Sequence, residues 1–178
     1  MDVIFQTYEQ LSLFFAGLIE EITGLPDDKT LLQYDQMGKA SANINTDVAY
    51  VNVVNEPDER TIFKNRTKEF NSETNTYTIY QQASRTLNLH VVFYGPNCME
   101  LCTTFSESLY HESIKLKLRQ NYLSIVPDST NGPIFMPENR NGQWFKRCDF
   151  NIRLYNTVIT TETVDIFSGT NINLEFDL

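Results

Sequence analysis

Apolar residues recur at every second position between residues 86 and 94, and this alternation predicts a strand with one buried face. The apolar face carries Leu87, Leu89, Val91 and Phe93. Gly95 and Pro96 then end the strand, because proline disfavours helix at the preceding residue and glycine weakens a strand. The rest of the chain is expected to pack around this strand.

A helix is predicted directly after the Gly-Pro turn. Asn97 is placed to cap it, since its side chain can accept from the amide of Glu100 and Glu100 can reach back, as in a capping box. The apolar stripe of this helix consists of Cys98, Leu101, Cys102, Phe105 and Leu109. We expect the stripe to fold back onto the apolar face of the strand.

A second helical pattern lies at the start of the chain. Apolar residues recur every three or four positions from Ile4 to Ile22, which predicts an amphipathic helix over residues 3–23 that ends at Gly24. Residues 25–47 show no sustained period and are expected to form a loop, with one short strand as an option.

The remaining strand signals are mostly short. The clearest runs from Trp144 to Leu154, where the even positions are mainly apolar and the odd positions mainly polar. The other candidates are Ala49–Val54, Tyr122–Val126, Val158–Ile166 and Asn171–Phe176. A loop is expected over residues 127–142, and a hairpin turn at Ser168-Gly169.

Residues 61–82 are polar and charged, with strand-like islands near each end. They predict a long β-hairpin that extends from the core as an arm and turns within residues 71–75. Its faces are not clearly apolar, and a two-stranded ribbon is marginally stable alone in water, so the arm is expected to contact another subunit or partner. The expected contact residues are Lys64, Arg66, Lys68, Tyr77 and Tyr80.

These elements predict one α+β domain over residues 1–178. Its core is an antiparallel sheet of about four strands, covered on one face by two helices. The arm at residues 61–82 and an acidic β tail at residues 157–178 extend from it. The positions expected to be buried are Leu11, Phe15, Leu18, Leu89, Val91, Phe93, Leu101, Phe105, Phe150 and Ile152.

Charge limits the classes of partner. The net charge is −9, and residues 1–60 carry eleven acids against three bases, while residues 154–178 carry four acids and no base. Tight DNA binding needs a concentrated basic face and is not expected. No apolar run reaches the roughly 20 residues that a membrane helix needs, so we expect a soluble protein made in the cytosol, without a membrane partner.

The sequence favours structural roles for its reactive side chains. The only histidines, His90 and His111, fall on a polar strand face and at a helix end. Cys98 and Cys102 have the one-turn spacing that zinc could use, but no second pair accompanies them. Phosphate loops, GxSxG and HExxH motifs are absent from the sequence. We therefore expect no catalysis, no cofactor and no metal.

Two trios of bases alternate with other residues and would each share one face of an extended chain. They are Lys64, Arg66 and Lys68, and Lys115, Lys117 and Arg119. A solvated face and a site for a polyanion both fit this pattern.

The segments VVFYGPNCMEL and FKRCDFNIRLYNTVITTETVDIF resemble the neck or tail terminator proteins of tailed bacteriophages. In that family a strand ends in an aromatic-Gly turn, a helix with an early Glu follows, and a late strand alternates charged and apolar residues before a short Val/Ile strand. The likeness covers Asp47 to Phe167. The arm at residues 61–82 and residues 168–178 depart from the family's pattern.

The resemblance implies a structural protein of the virion at the head-tail junction. It implies a ring of identical subunits, usually a hexamer, that joins the head connector to the tail tube or caps the tube to end its growth. The implied partners are further copies of the chain, a head-completion or connector protein, and the tail tube or sheath protein. Phage DNA would pass transiently through the ring, and an acidic or neutral lining would let it slide.

Two other interpretations stay open. One is a small cytosolic binding or regulatory module with the same α+β core, and the other is an enzyme with a nucleophilic cysteine. The size of the protein in solution separates the ring from the module, and thiol alkylation tests the enzyme.

Overall fold

The computed structural model describes residues 7–33, 45–56, 63–127, 129 and 131–165. These residues contain the helices α1 (Tyr8–Thr23), α2 (Cys98–Ser108) and α3 (Glu112–Gln120), and a single 3-10 turn at Asp27–Lys29. The strands are β1 (Thr30–Leu32), β2 (Val48–Glu56), β3 (Phe63–Asn71), β4 (Thr76–Tyr94), β5 (Leu123–Ile125), β6 (Ile134–Phe135), β7 (Glu138–Arg140), β8 (Gln143–Phe145) and β9 (Arg147–Asp165).

The strand β4 is the centre of a mixed, mostly antiparallel sheet. One edge of β4 pairs with β9 along its full length, from Thr76 opposite Asp165 to Tyr94 opposite Arg147. The other edge pairs with β2 over residues 86–94 and with β3 over residues 76–83. Short strands add to this frame: β1 runs parallel to β2, and β5 and β6 pair with β9. The α+β class is confirmed, but the sheet has seven strands rather than about four.

The core lies on one face of this sheet, under α1 and α2. Phe105 of α2 packs between Phe93 and Phe150, with ring centroids 6.2 and 5.8 Å away. Full burial of one such side chain contributes about 1.5–3 kcal/mol. The positions predicted for the core are buried, except for Leu101, which is partly buried against the cluster.

Local hydrogen bonds fix both ends of α1. The Thr7 hydroxyl accepts a hydrogen bond from the Gln10 amide, and the Gln10 side chain accepts one from the Thr7 amide, which completes a capping box. At the other end Gly24 adopts φ 74° and its amide donates to the Glu20 carbonyl. The predicted end of the helix is confirmed, and residues 3–6 lie outside the described residues.

The start of α2 is right, but its predicted capping box is wrong. The Asn97 side chain makes no capping bond and instead donates to Asp47 Oδ2 at 2.9 Å. Asp47 Oδ1 accepts from the Asn97 amide, also at 2.9 Å. The chains approach closely here, since a Cβ added to Gly95 (φ 117°) would lie 2.6 Å from the Asp47 Cα. Asp47, immediately before β2, therefore anchors the turn that leads into the helix.

The helical region after β4 contains two helices, so α3 is an addition to the two predicted. The buried residues of α2 and its end, Phe105 and Leu109, are four apart, but the next buried residue, Ile114, is five further on. At 100° per residue, Ile114 on a continuous helix would lie about 140° around the helix axis from Leu109. One straight helix therefore cannot bury all three residues on the same face. The alternating bases Lys115, Lys117 and Arg119 fall on α3 rather than on an extended chain and do not share one face.

The two late strands predicted at residues 144–154 and 158–166 form one strand. β9 runs through both without a break because β4 pairs with it throughout. Trp144 does not belong to β9 but lies on β8, which pairs with β7. β7 falls within the loop predicted at residues 127–142, and β8 begins directly after it. The β tail is thus a strand as far as Asp165. Its turn at Ser168-Gly169 and the segment 171–176 lie outside the described residues.

Candidate interaction surface on the arm

The arm is a three-stranded ribbon rather than the predicted two-stranded hairpin. It consists of β3, residues 76–84 of β4 and residues 157–165 of β9. At about 3.3 Å per residue, residues 76–84 alone span roughly 30 Å. A third strand supplies a second ladder of hydrogen bonds, which explains how so polar a ribbon holds its shape.

The turn between β3 and β4 is formed by Asn residues. The Asn71 side chain accepts from the amides of Glu73 and Thr74, at 3.0 and 3.4 Å. Asn75 adopts φ 53°, a left-handed conformation that asparagine tolerates better than most residues. The Thr74 and Thr76 hydroxyls lie 2.7 Å apart and close the turn.

One face of the arm continues the helix-covered face of the sheet, and we call it the helix-side face. At its tip Phe70, Tyr77 and Val164 lie side by side on the three strands, in register. The Phe70 and Tyr77 ring centroids are 5.3 Å apart, and all three side chains are exposed, Phe70 by 54%. An exposed apolar group of this kind, bordered by polar residues, is typical of a contact surface.

Two bases border that apolar tip on the outer strand of the arm. Arg66 and Lys68 are exposed on β3 and lie opposite Gln81 and Ile79, on the helix-side face. Within the part of the chain that the structure describes, neither base forms an ion pair. Glu162, an acid on the same face, lies two strands away on β9. The β3 side of the face is therefore positive.

The opposite face of the arm is polar. Its Tyr80 hydroxyl donates to Glu69 at 3.1 Å, and desolvation together with this bond raises the pKa of Tyr80. Thr67 lies opposite Tyr80 on β3, and Thr161 on β9. The tyrosine is thus engaged within its own chain.

The structure groups three of the five predicted contact residues. Arg66, Lys68 and Tyr77 share the helix-side face, whereas Tyr80 is on the other face. Lys64 lies at a β-bulge, where the register shifts between Phe63 and Asn65, and its side chain is outside the described residues. Phe70 and Val164 were missed by the sequence reasoning. Val164 reaches this face only through its pairing with a strand far away in the chain. Phe70 lies across the predicted turn from Tyr77, so the hairpin pattern itself was the signal that could have found it.

The root of the arm is tied to the core by polar contacts. The Arg85 Nε donates to the buried Asn156 side chain at 2.8 Å, and the Arg85 guanidinium lies 4.9 Å from the centroid of the Tyr8 ring of α1. One step nearer the core, Arg153 on β9 donates to Glu56 on β2 at 2.7 Å. These contacts link α1, β2, β4 and β9 at the point where the arm leaves the body.

A second cluster, also missed by sequence reasoning, lies on the uncovered face of the sheet. Arg140 donates to both Glu138 and the Tyr94 hydroxyl at 2.9 Å, and Arg147 binds Asp149 through two bonds of 2.6 Å. The bonds that join Arg140 and Glu138 to Tyr94 hold the β7–β8 hairpin against the sheet. The Trp144 side chain of this hairpin is 64% exposed. No sequence motif indicates the cluster, because sheet pairing is what brings Tyr94 together with the Glu138–Arg140 and Arg147–Asp149 pairs.

The cysteines are poorly suited to nucleophilic chemistry. Cys98, Cys102 and Cys148 are free and buried, and burial raises the pKa of all three thiols. A raised pKa keeps a thiol protonated, whereas catalysis needs the thiolate. Among the described residues no group of three or more His, Cys, Asp or Glu is arranged to hold a metal ion.

Comparison with known proteins decides the family. A family model described as "Phage neck terminator protein" matches residues 18–176. The chain belongs to the phage neck terminator family. A search of curated proteins gives no match.

Membership of the phage neck terminator family confirms the resemblance predicted from the sequence and places the chain among structural proteins of the phage virion. The match spans the arm and most of residues 168–178, which the sequence reasoning had treated as departures from the family's pattern. None of the described helices is long and apolar enough to cross a membrane.

Proposed function

We propose that copies of this chain form a ring, of six subunits by the family resemblance, at the phage neck. The ring joins the head-completion or connector protein to the tail tube or sheath protein, ends growth of the tube, or does both, and DNA passes through it. The chain is made in the host cytoplasm and acts in the virion.

The arm is the observation that carries this proposal. The arm is roughly 30 Å long, at about 3.3 Å for each of its residues. Its tip is apolar and exposed, and the two bases beside the tip form no ion pair with any described residue. Such a surface suits contact with another protein molecule rather than a small ligand. The net charge of −9 fits a ring that does not grip the DNA moving through it.

The five predicted contact residues keep roles in this proposal. Arg66, Lys68 and Tyr77 contact a neighbour through the helix-side face. Tyr80 faces the other way, so any partner that it meets is a different molecule. Lys64 lies nearest the body, beside the bulge.

Negative-stain images and sedimentation velocity of the purified protein test the proposal. We expect ring-shaped particles of several subunits, alone or after the tail tube protein is added. Phe70→Asp with Tyr77→Asp should reduce the particles to folded monomers, because charge is placed in an apolar contact. The matched control, Thr67→Asp with Thr163→Asp, adds the same charge on the opposite face and should still assemble. A protein that stays monomeric under all these conditions would instead support the binding-module interpretation.

The proposal includes no enzymatic activity. Cys98, Cys102 and Cys148 replaced together by Ala should lower stability through lost packing and leave assembly intact. Loss of assembly by a variant that remains folded, or stoichiometric zinc in the purified protein, would contradict this part of the proposal.

A further inference from the structure

An acidic groove lies between α1 and β1 and has a volume of about 520 Å³. The groove is lined by the acids Glu9, Glu20 and Asp27 and, among others, by Leu13, Gly17 and Thr30. Leu13 is 55% exposed, and a Cβ added to Gly17 would meet nothing within 4 Å, so the groove is open along the helix. The groove therefore offers an apolar strip between acids.

The groove carries polar groups that the described chain leaves without partners. Glu9, Glu20 and Asp27 make no ion pair with any described residue. The Thr30 side chain is only 7% exposed, and its hydroxyl has no hydrogen-bond partner among the described residues. A buried hydroxyl without a partner costs free energy, which an incoming polar group would recover.

The helix-side face of the arm matches this groove in chemistry. Its bases Arg66 and Lys68 are opposite in sign to the acids of the groove, and its apolar tip matches the strip around Leu13. The Tyr77 side chain adds a hydroxyl beside an apolar ring, the type of side chain that is enriched in protein interfaces. The two surfaces are complementary in both charge and polarity.

The apolar tip of a chain's arm cannot reach the groove of the same chain. β1 lies opposite Ala49–Val51 of β2, and these residues lie opposite Val91–Phe93 of β4. The near end of the groove, at Glu9, lies closer to the arm, because the neighbouring Tyr8 contacts Arg85 at the root of the arm. Tyr77 precedes Arg85 by eight residues and Val92 by fifteen on one unbroken strand, so the tip lies roughly 26 Å from that end and roughly 50 Å from β1 at about 3.3 Å per residue. A contact between the apolar tip and the groove is therefore a contact between two copies.

We infer that the helix-side face of the arm of one copy docks in the α1–β1 groove of a second copy of this chain. The two surfaces differ, so the contact is heterologous: every copy offers one arm and one groove, and repetition of the contact around an axis closes a ring. The inference rests on the proposed ring and goes beyond it by naming both sides of the subunit contact.

Charge reversal tests the pairing. An arm variant, Arg66→Glu with Lys68→Glu, and a groove variant, Glu9→Lys with Glu20→Lys, are each expected to remain folded and to weaken self-association by on the order of 100-fold, since like charges then face each other. Mixing the two variants should restore rings, because each arm then finds a groove of opposite charge. A single chain that carries all four substitutions should also form rings.

A matched control and an independent probe complete the test. Lys115→Glu with Lys146→Glu makes the same charge change on the body and should leave association within about twofold, as expected for charges outside the contact. Gly17→Leu should keep or raise thermal stability, because glycine disfavours a helix, and yet weaken association by filling the groove. The self-association of every variant is measured by sedimentation velocity.

Each outcome decides between the proposals. If the unmodified protein forms rings and neither the mixture nor the fourfold variant recovers them, the arm does not pair with this groove, while the proposed function stands. If the control variant dissociates as strongly as the arm variant, net charge rather than this contact governs assembly and the inference fails. If the unmodified protein stays monomeric even with the tail tube protein, both proposals are overturned.

Discussion

Phe150 shows at the scale of one residue how the core is held. It is fully buried, and the Phe105 ring meets it edge-on at 5.8 Å. Phe150→Ala should lower the free energy of unfolding by about 3–5 kcal/mol, because it removes apolar contacts and leaves a cavity. Urea denaturation measures the change. Phe70→Ala, at an exposed position, is the control and should change the monomer by only about 0.5 kcal/mol.

The stability of the fold depends on pH through the carboxyl group of Glu138. Hydrogen bonds from Arg140, and after them the one from Tyr94, lower its pKa from 4.5 to about 2. Because the folded pKa lies below the ordinary value, the stabilisation is complete above pH 4.5 and is lost as the pH falls toward 2. We expect the urea midpoint of the β7–β8 hairpin, followed by Trp144 fluorescence, to be lower at pH 3 than at pH 6.

Glu138→Gln isolates that contribution. The variant keeps the size of the side chain but cannot titrate, so the difference between its midpoints at pH 3 and pH 6 should be smaller. An equal difference in both proteins would mean that Glu138 is not the group that governs the pH dependence of the hairpin.

Sequence periodicity locates buried residues well and exposed contacts less well. Leu89, Val91 and Phe93 were predictable because alternation within one strand needs no knowledge of its partners. The sequence also allowed the prediction that Tyr77 and Tyr80 lie on opposite faces of the arm, since residues three apart in a strand point to opposite faces. The third member of the apolar tip, Val164, was not predictable, because it shares the face with Phe70 and Tyr77 only through pairing with a strand far away in the chain.

Asp47 acts at the scale of elements, since it joins β2 to the turn before α2. Asp47→Ala should remove both bonds to Asn97 and lower the free energy of unfolding by about 1 kcal/mol, as expected for the loss of a helix-capping side chain. Hydrogen exchange at residues 97–101 should quicken. Asp47→Asn keeps one acceptor and should show a smaller effect; equal protection in all three proteins would contradict the anchoring role.

The helix cap and the arm show why some elements could not be predicted. Asn97 fits the local pattern of a cap, but the acceptor that satisfies its amide comes from Asp47, fifty residues earlier. Likewise, residues 158–165 have the composition of a separate edge strand. They continue β9 because β4 offers an unpaired edge beyond the core, which a local pattern cannot indicate.

The charge of the whole molecule leads to a prediction about DNA. With a net charge of −9, the protein should not retain a short DNA duplex at 0.15 M salt, since its overall negative charge repels the phosphates whose counterions a basic protein would release. A gel-shift titration checks this. Retention that weakens steeply with added salt would reveal a basic DNA-binding surface and would argue against a ring through which DNA slides.

The unbroken strands β4 and β9 give the arm a mechanical character. Nineteen residue pairs join them from the body to the tip, without a hinge. Tension along the arm therefore loads many ladder hydrogen bonds at once, in shear, instead of peeling them apart one by one. In single-molecule pulling between the arm tip and the far ends of these strands, we expect rupture at higher force than when β3 is peeled sideways from β4. A subunit of the proposed ring would then resist tension along its arm without unfolding.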